Sequence, residues 1–188
     1  MTLLERLRAE TRSAHDRIEK AVNIERLTGS RDVYRAMLIR FHGFHSAFEE
    51  AAAAQVPDRD FFQRRRKAHL LARDLEVLGM NPIEITSLPR CCPLMPLPGP
   101  AAVLGSMYVI EGSTLGGAII AREVERRLGL TRDTGCAYFR SYGRETASMW
   151  KSFGAVLNAA SSPEVDDLIV GTAQGTFDVM HDWLCGAQ

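Results

Sequence analysis

Apolar residues recur at spacings of three and four along almost the whole chain, and no stretch alternates with the period of two that a half-buried strand requires. That periodicity predicts an all-α fold. Thr2 followed by Glu5 forms a capping box, and Leu4, Leu7, Ala14, Ile18 and Val22 continue a core stripe to about residue 22. A second helix is expected after Ser30, with Val33, Met37, Phe41, Phe44 and Phe48 on one face and Pro57 beyond its end. A third is expected from about Asp60 to Leu78, closed by Gly79. Residues 81–100 hold six prolines, too many for a regular element of useful length, and read as a long connection. Pro100 suits the first turn of a fourth helix reaching Leu128, with Gly129 as its stop. After a looser stretch containing Gly135 and Gly143, two helices close the chain, one from about Arg144 to Ala160 and one from Ser162 to near Trp183. The expectation is a single domain over 1–188.

Composition narrows the function. Twenty-three Lys and Arg balance twenty-three Asp and Glu, so no net field draws the chain to nucleic acid or to an anionic membrane. The longest nearly apolar run, Ala101 to Ile110, is half of the roughly 20 residues a membrane span needs, and Gly105 and Ser106 interrupt it. No membrane association is expected. Met1 to Arg12 lacks the apolar core of a secretory signal, which points to a cytoplasmic location. Cys91, Cys92, Cys136 and Cys185 have no zinc-like spacing and read as reduced structural thiols. The basic run Arg64 to Lys67 reads as a solvated helix face.

The fourth helix is the anomaly. It carries Gly112, Gly116 and Gly117 within six residues, each costing about 0.5 to 1 kcal/mol relative to Ala in a helix interior. Something must approach its backbone closely. One reading is a close helix crossing; the other is a flat ligand lying on the helix, with Ser113 and Thr114 presenting hydroxyls beside it. On the first helix His15 stands four residues before Glu19, so imidazole and carboxylate share a face. Such a pair suits a metal ligand, because the carboxylate fixes the tautomer and raises the basicity of the ligating nitrogen. Arg8 lies seven residues earlier on that face, about 10.5 Å away, within reach of a carboxylate on a macrocycle's rim. His42, His45 and Glu49 offer a rival metal set on the second helix, but the chain has no Glu-x-x-His motif for a dimetal bundle. His42 and His45 read as boundary residues.

Leu7-Arg8 through Thr11, His15 and Glu19, followed about a hundred residues later by Tyr108-Val-Ile-Glu-Gly-Ser-Thr-Leu-Gly-Gly117, resembles the bacterial heme oxygenases. The form is most similar to the biliverdin-producing enzymes that accompany bacteriophytochromes, and the likeness extends to Phe139-Arg-Ser-Tyr-Gly143 and Met149-Trp-Lys-Ser-Phe153. It implies a single heme oxygenase-like helical bundle with heme between the first helix and the glycine-rich one. His15 would be the iron ligand and Glu19 the carboxylate steadying it. Tyr108, Gly112, Gly116 and Gly117 would line the heme, and Arg8 and Lys151 would pair with its propionates. Gly112, Ser113, Thr114 and Gly116 would form the catalytic distal side. Familiar members carry an Asp after the first distal glycine, where it organises proton-delivering water; Ser113 stands there in this chain.

The implied reaction cleaves heme with O2 and electrons to biliverdin, Fe2+ and CO. A neutral imidazole suits that chemistry better than a thiolate, which promotes O–O cleavage. With no flavin or nicotinamide fingerprint in the chain, electrons would come from a ferredoxin, flavodoxin or reductase, and Arg64 to Lys67 is a candidate docking patch for it. A bacteriophytochrome would be an acceptor of the product. Two alternatives remain open at this point: a heme-binding or heme-transfer protein that does not degrade its ligand, and a heme-free enzyme or scaffold of the same fold.

Overall fold

The computed structural model describes residues 1–186, and among them all regular structure is helical. The helices are α1 (Leu3–Glu10), α2 (Arg12–Ala21), α3 (Ile24–Leu27), α4 (Arg31–Ala53), α5 (Arg59–Gln63), α6 (Ala68–Val77), α7 (Pro82–Thr86), α8 (Pro100–Leu128), α9 (Ala137–Arg140), α10 (Thr146–Ala160) and α11 (Asp166–Cys185). A 3-10 turn, Gly143–Glu145, leads into α10. The capping box at Thr2 and Glu5 is present, and α8 spans the anticipated residues with Gly129 in the left-handed conformation that ends it. By length and composition α8 could cross a membrane, yet half of its apolar window is buried and it serves as the central core helix.

Two predicted helices are divided. The first breaks for one residue at Thr11, whose hydroxyl donates to the Leu7 carbonyl at 2.7 Å. The third is interrupted between α5 and α6, and a carboxylate far away in sequence explains it. Glu49 on α4 is buried and accepts from the backbone N–H groups of Lys67 at 2.5 Å and Ala68 at 2.8 Å, capping α6 as a side chain within the segment otherwise would. Buried Asp74 likewise accepts from the N–H groups of Ala137 and Tyr138 at the start of α9, at 2.7 and 2.8 Å. The core gathers Leu7, Tyr34, Leu38, Phe44, Leu71, Leu75, Phe153, Leu157 and Ile169, all fully enclosed.

The run Arg64 to Lys67 is not a solvated helix face. Arg64 and Arg66 are exposed, but Arg65 and Lys67 are buried, because this link folds inward under α8 to meet buried Glu111. The close crossing of α8 and α11 falls at Gly105, where any Cβ would collide with the Ile169 carbonyl oxygen. At the next residue of α8, the hydroxyls of Ser106 and Thr176 meet at 2.8 Å.

Candidate functional site

A cavity of about 790 Å³ opens between α1 and α2 on one side and the middle of α8 on the other. Phe41 and His45 of α4 and Tyr138 and Phe139 of α9 close its inner end, while Phe177 and Met180 of α11 and Trp150 of α10 complete the walls. The cavity brings together Arg8, His15, Glu19, Tyr108, Gly112, Ser113, Thr114, Gly116 and Gly117, which lie on two segments a hundred residues apart in the sequence. It does not include Lys151, which is exposed on α10 beside Trp150.

His15 is half exposed, and its ring is steadied edge-on against Phe177 with centroids 6.1 Å apart. Its Nε2 lies 3.7 Å from Glu19 Oε1 and its Nδ1 3.9 Å from Asp16 Oδ1. Neither separation is a hydrogen bond, so a carboxylate stands near each ring nitrogen without engaging it tightly. Asp16 is a neighbour that helical spacing alone did not single out. Arg12 was also missed; it stands one helical turn after Arg8, and both are exposed, line the cavity and make no salt bridge among the described residues.

The glycines of α8 separate into two kinds. A Cβ on Gly117 would stand 2.8 Å from the Phe139 carbonyl oxygen, so close packing requires its absence. The same reasoning covers Gly105 but not the other two. At Gly116 a Cβ would meet no protein atom within 4 Å, and at Gly112 only the Trp150 ring at an ordinary 3.8 Å. Protein packing does not explain those two glycines, and both border the cavity. The hydroxyls of Ser113 and Thr114 donate to the carbonyls three residues back, at 2.7 Å to Ile110 and 2.6 Å to Glu111. Their remaining capacity is as acceptors.

At the inner end His45 is fully buried, which corrects its reading as a boundary residue. Its Nε2 pairs with the Tyr138 hydroxyl at 3.0 Å, and burial lowers its pKa to about 3, keeping the ring neutral. It forms no metal set with His42 and Glu49, since Glu49 is committed to Arg66 at 2.7 Å and to the start of α6. Lys67 also borders this end; burial pushes its ammonium down to about 8, against the pull of Glu111. No sequence signal distinguishes these inner residues, because ordinary core side chains show the same periodicity.

An imidazole faces exposed helix backbone across an apolar cleft with arginines at the rim, so the fold is a helical one with a cleft between two helices that has room for a flat ligand. The sequence profile of the heme oxygenase family matches residues 1–185. A heme oxygenase of Xanthomonas campestris is 35% identical over 158 residues, covering 81% of this chain and 89% of that protein. The chain belongs to the heme oxygenase family. Among solved structures, the NO- and CO-bound heme oxygenase of Neisseria meningitidis has a TM-score of 0.79 at 20% identity, covering 100% of this chain and 94% of that one. Heme oxygenase of Leptospira interrogans reaches 0.78 at 16% identity with full coverage of both chains, and heme oxygenase 2 of Chlamydomonas reinhardtii 0.77 at 21%, covering 99% and 97%. At these identities the likeness establishes the fold.

Proposed function

We propose that this chain binds heme in the cavity and degrades it oxidatively to biliverdin, Fe2+ and CO, using O2 and electrons from a separate donor. The observation that carries the reading is the pairing of His15 with Gly112 and Gly116. One wall supplies an imidazole, and the opposite wall supplies backbone whose missing side chains no protein contact accounts for. Bound heme supplies the iron that turns O2 against the macrocycle's own meso edge.

The residues then divide the work. His15 would ligate, and of the two carboxylates only the one beside the ring nitrogen left over, Glu19 at Nε2 or Asp16 at Nδ1, would hold that nitrogen's proton. Gly112 and Gly116 let α8 lie close to the macrocycle, and Tyr108 and Gly117 support that wall. Arg8 and Arg12 at the rim would hold the propionates; Lys151 is exposed and lies outside the cavity lining. Aromatic side chains at the inner end exclude water. Ser113 or Thr114 would accept a hydrogen bond from one proton of a water in the cleft, leaving the water's other proton free to be donated to the ligand. The electron donor is a ferredoxin, flavodoxin or reductase, and a biliverdin-binding phytochrome is a consumer of the product. Of the Arg64 to Lys67 run, Arg64 and Arg66 remain exposed and are what such a donor could meet.

Titration of the purified chain with hemin tests the reading. A sharp Soret band that saturates with one hemin per chain, shifted in His15→Ala, followed by conversion to a biliverdin spectrum with ascorbate or a reductase, is expected. A Soret band without conversion would favour storage or transfer, and absence of a band would overturn heme binding.

A further inference from the structure

Behind the glycine wall lies a buried cluster of charge of which only Lys67 borders the cavity, at its inner end. Glu111 directly precedes Gly112 on α8, and its carboxylate points away from the cavity into the protein, with 1% exposure. It accepts from the Tyr142 hydroxyl at 2.7 Å, and Arg65 Nε and Lys67 Nζ approach it at 3.5 and 3.7 Å. The Lys67 ammonium also sits 3.6 Å above the Tyr142 ring. Arg65 reaches further: its guanidinium donates to Ser152 Oγ at 2.7 Å and to the Met149 carbonyl at 3.3 Å on α10. Those two residues flank Trp150, whose ring lies 3.8 Å from where a Gly112 Cβ would stand.

These contacts close a loop. Gly112 is joined to Glu111 by the chain, Glu111 to Arg65 by charge, Arg65 to the turn that carries Trp150 by hydrogen bonds, and Trp150 faces Gly112 again. We infer that Arg65 and Glu111 are positioning residues that set the separation between the Gly112 backbone and the Trp150 ring, and so the width of the cleft above the ligand. Only a guanidinium suits the central position, because its planar fork bonds in several directions at fixed angles whereas an ammonium is a single point of charge. Burial disfavours the charges of Arg65 and Glu111 individually, so their retention at a site that apolar side chains could fill calls for a role beyond stability.

The inference rests on heme being the ligand, and its test includes a measurement that does not use heme. Trp150 and Trp183 are the two tryptophans, so in a Trp183→Phe background the emission and acrylamide quenching of Trp150 report the cleft in the ligand-free chain. Arg65→Lys keeps the charge and loses the fork. It is expected to fold with little change in melting temperature, to raise Trp150 quenching, and to change the ratio of biliverdin isomers by roughly threefold or more, as coupled contacts of this size do. The triple variant Arg65→Met, Glu111→Met, Lys67→Met removes the charge of this cluster at similar volume. Its melting temperature is expected to return to the wild-type range while the Trp150 signal and the isomer ratio stay altered. Recovery of stability, Trp150 quenching and isomer ratio together would show a merely structural cluster and overturn the inference. So would wild-type Trp150 quenching and isomers in Arg65→Lys, the variant that decides the matter if the triple variant does not fold. A wild-type chain that binds no hemin would remove the proposed function, and the Trp150 measurement would still decide the cleft geometry.

Discussion

The two walls of the cavity are built on opposite terms. The α2 wall is a thin amphipathic helix whose functional face is exposed: His15, Asp16 and Glu19 make no tight contact with one another, and the Phe177 ring braces the imidazole. The α8 wall is braced from behind by buried charge at Glu111 and by close crossings at Gly105 and Gly117. Side chains on the first wall are therefore free to serve a ligand at little cost to folding. On the second wall, function and stability share the same helix and are separated residue by residue.

The largest expected effect breaks the first wall. His15→Ala should reduce biliverdin formation below detection while leaving the melting temperature of the heme-free chain within about 2 °C, because a half-exposed side chain contributes little packing. A large thermal shift would show that this wall is as structural as the other. Next come two glycines of one helix with opposite outcomes. Gly105→Ala drives a Cβ into the Ile169 carbonyl and should destabilise the chain by about 3 kcal/mol, lowering its melting temperature by roughly 6 to 12 °C. Gly116→Leu should stabilise the heme-free chain by up to about 1 kcal/mol, since a helix interior prefers Leu, and should abolish the Soret band by filling the cleft. Equal losses of melting temperature in the two variants would remove the distinction between crossing and cradle glycines.

A smaller effect appears in acid. His45 stays neutral in the folded chain to about pH 3, whereas an unfolded chain protonates this ring below about 6.5, so stability falls as pH drops through that window. His45→Gln keeps a partner for the Tyr138 hydroxyl and should recover up to about 2 kcal/mol of the loss between pH 7 and pH 4.5, read as the shift in urea midpoint. An unchanged acid response would mean that His45 carries a proton when buried. The smallest effect lies at the rim. Arg8→Ala and Arg12→Ala each remove an exposed charge worth about 0 to 1 kcal/mol, enough to move the isomer ratio a few-fold without loosening the fold. If Lys151→Ala altered the isomers more than either, the propionate edge would face α10 instead.

Much of this site was legible because it depends on local spacing. His15 and Glu19 one turn apart, and three glycines within six residues of an otherwise regular helix, stand out whatever surrounds them. Arg12 was passed over because an arginine on an exposed helix face looks like any solvated charge until the cavity's edge is located. Arg65 and Lys67 were misread for the same reason, in the opposite direction. A basic run carries no mark of burial when its counter-charge, Glu111, lies more than forty residues away.

By itself the sequence determined the helical class, the limits of α8, and the residue types that face one another across the cavity, because capping, periodicity and glycine content act within one or two turns of chain. Only the tertiary structure decided where the predicted third helix breaks, since the carboxylate that caps α6 comes from α4. It alone separated Gly105 and Gly117, which a neighbouring backbone requires, from Gly112 and Gly116, which no protein atom does. A missing Cβ reads the same in every sequence, and what occupies the space beside it is settled by a partner distant along the chain.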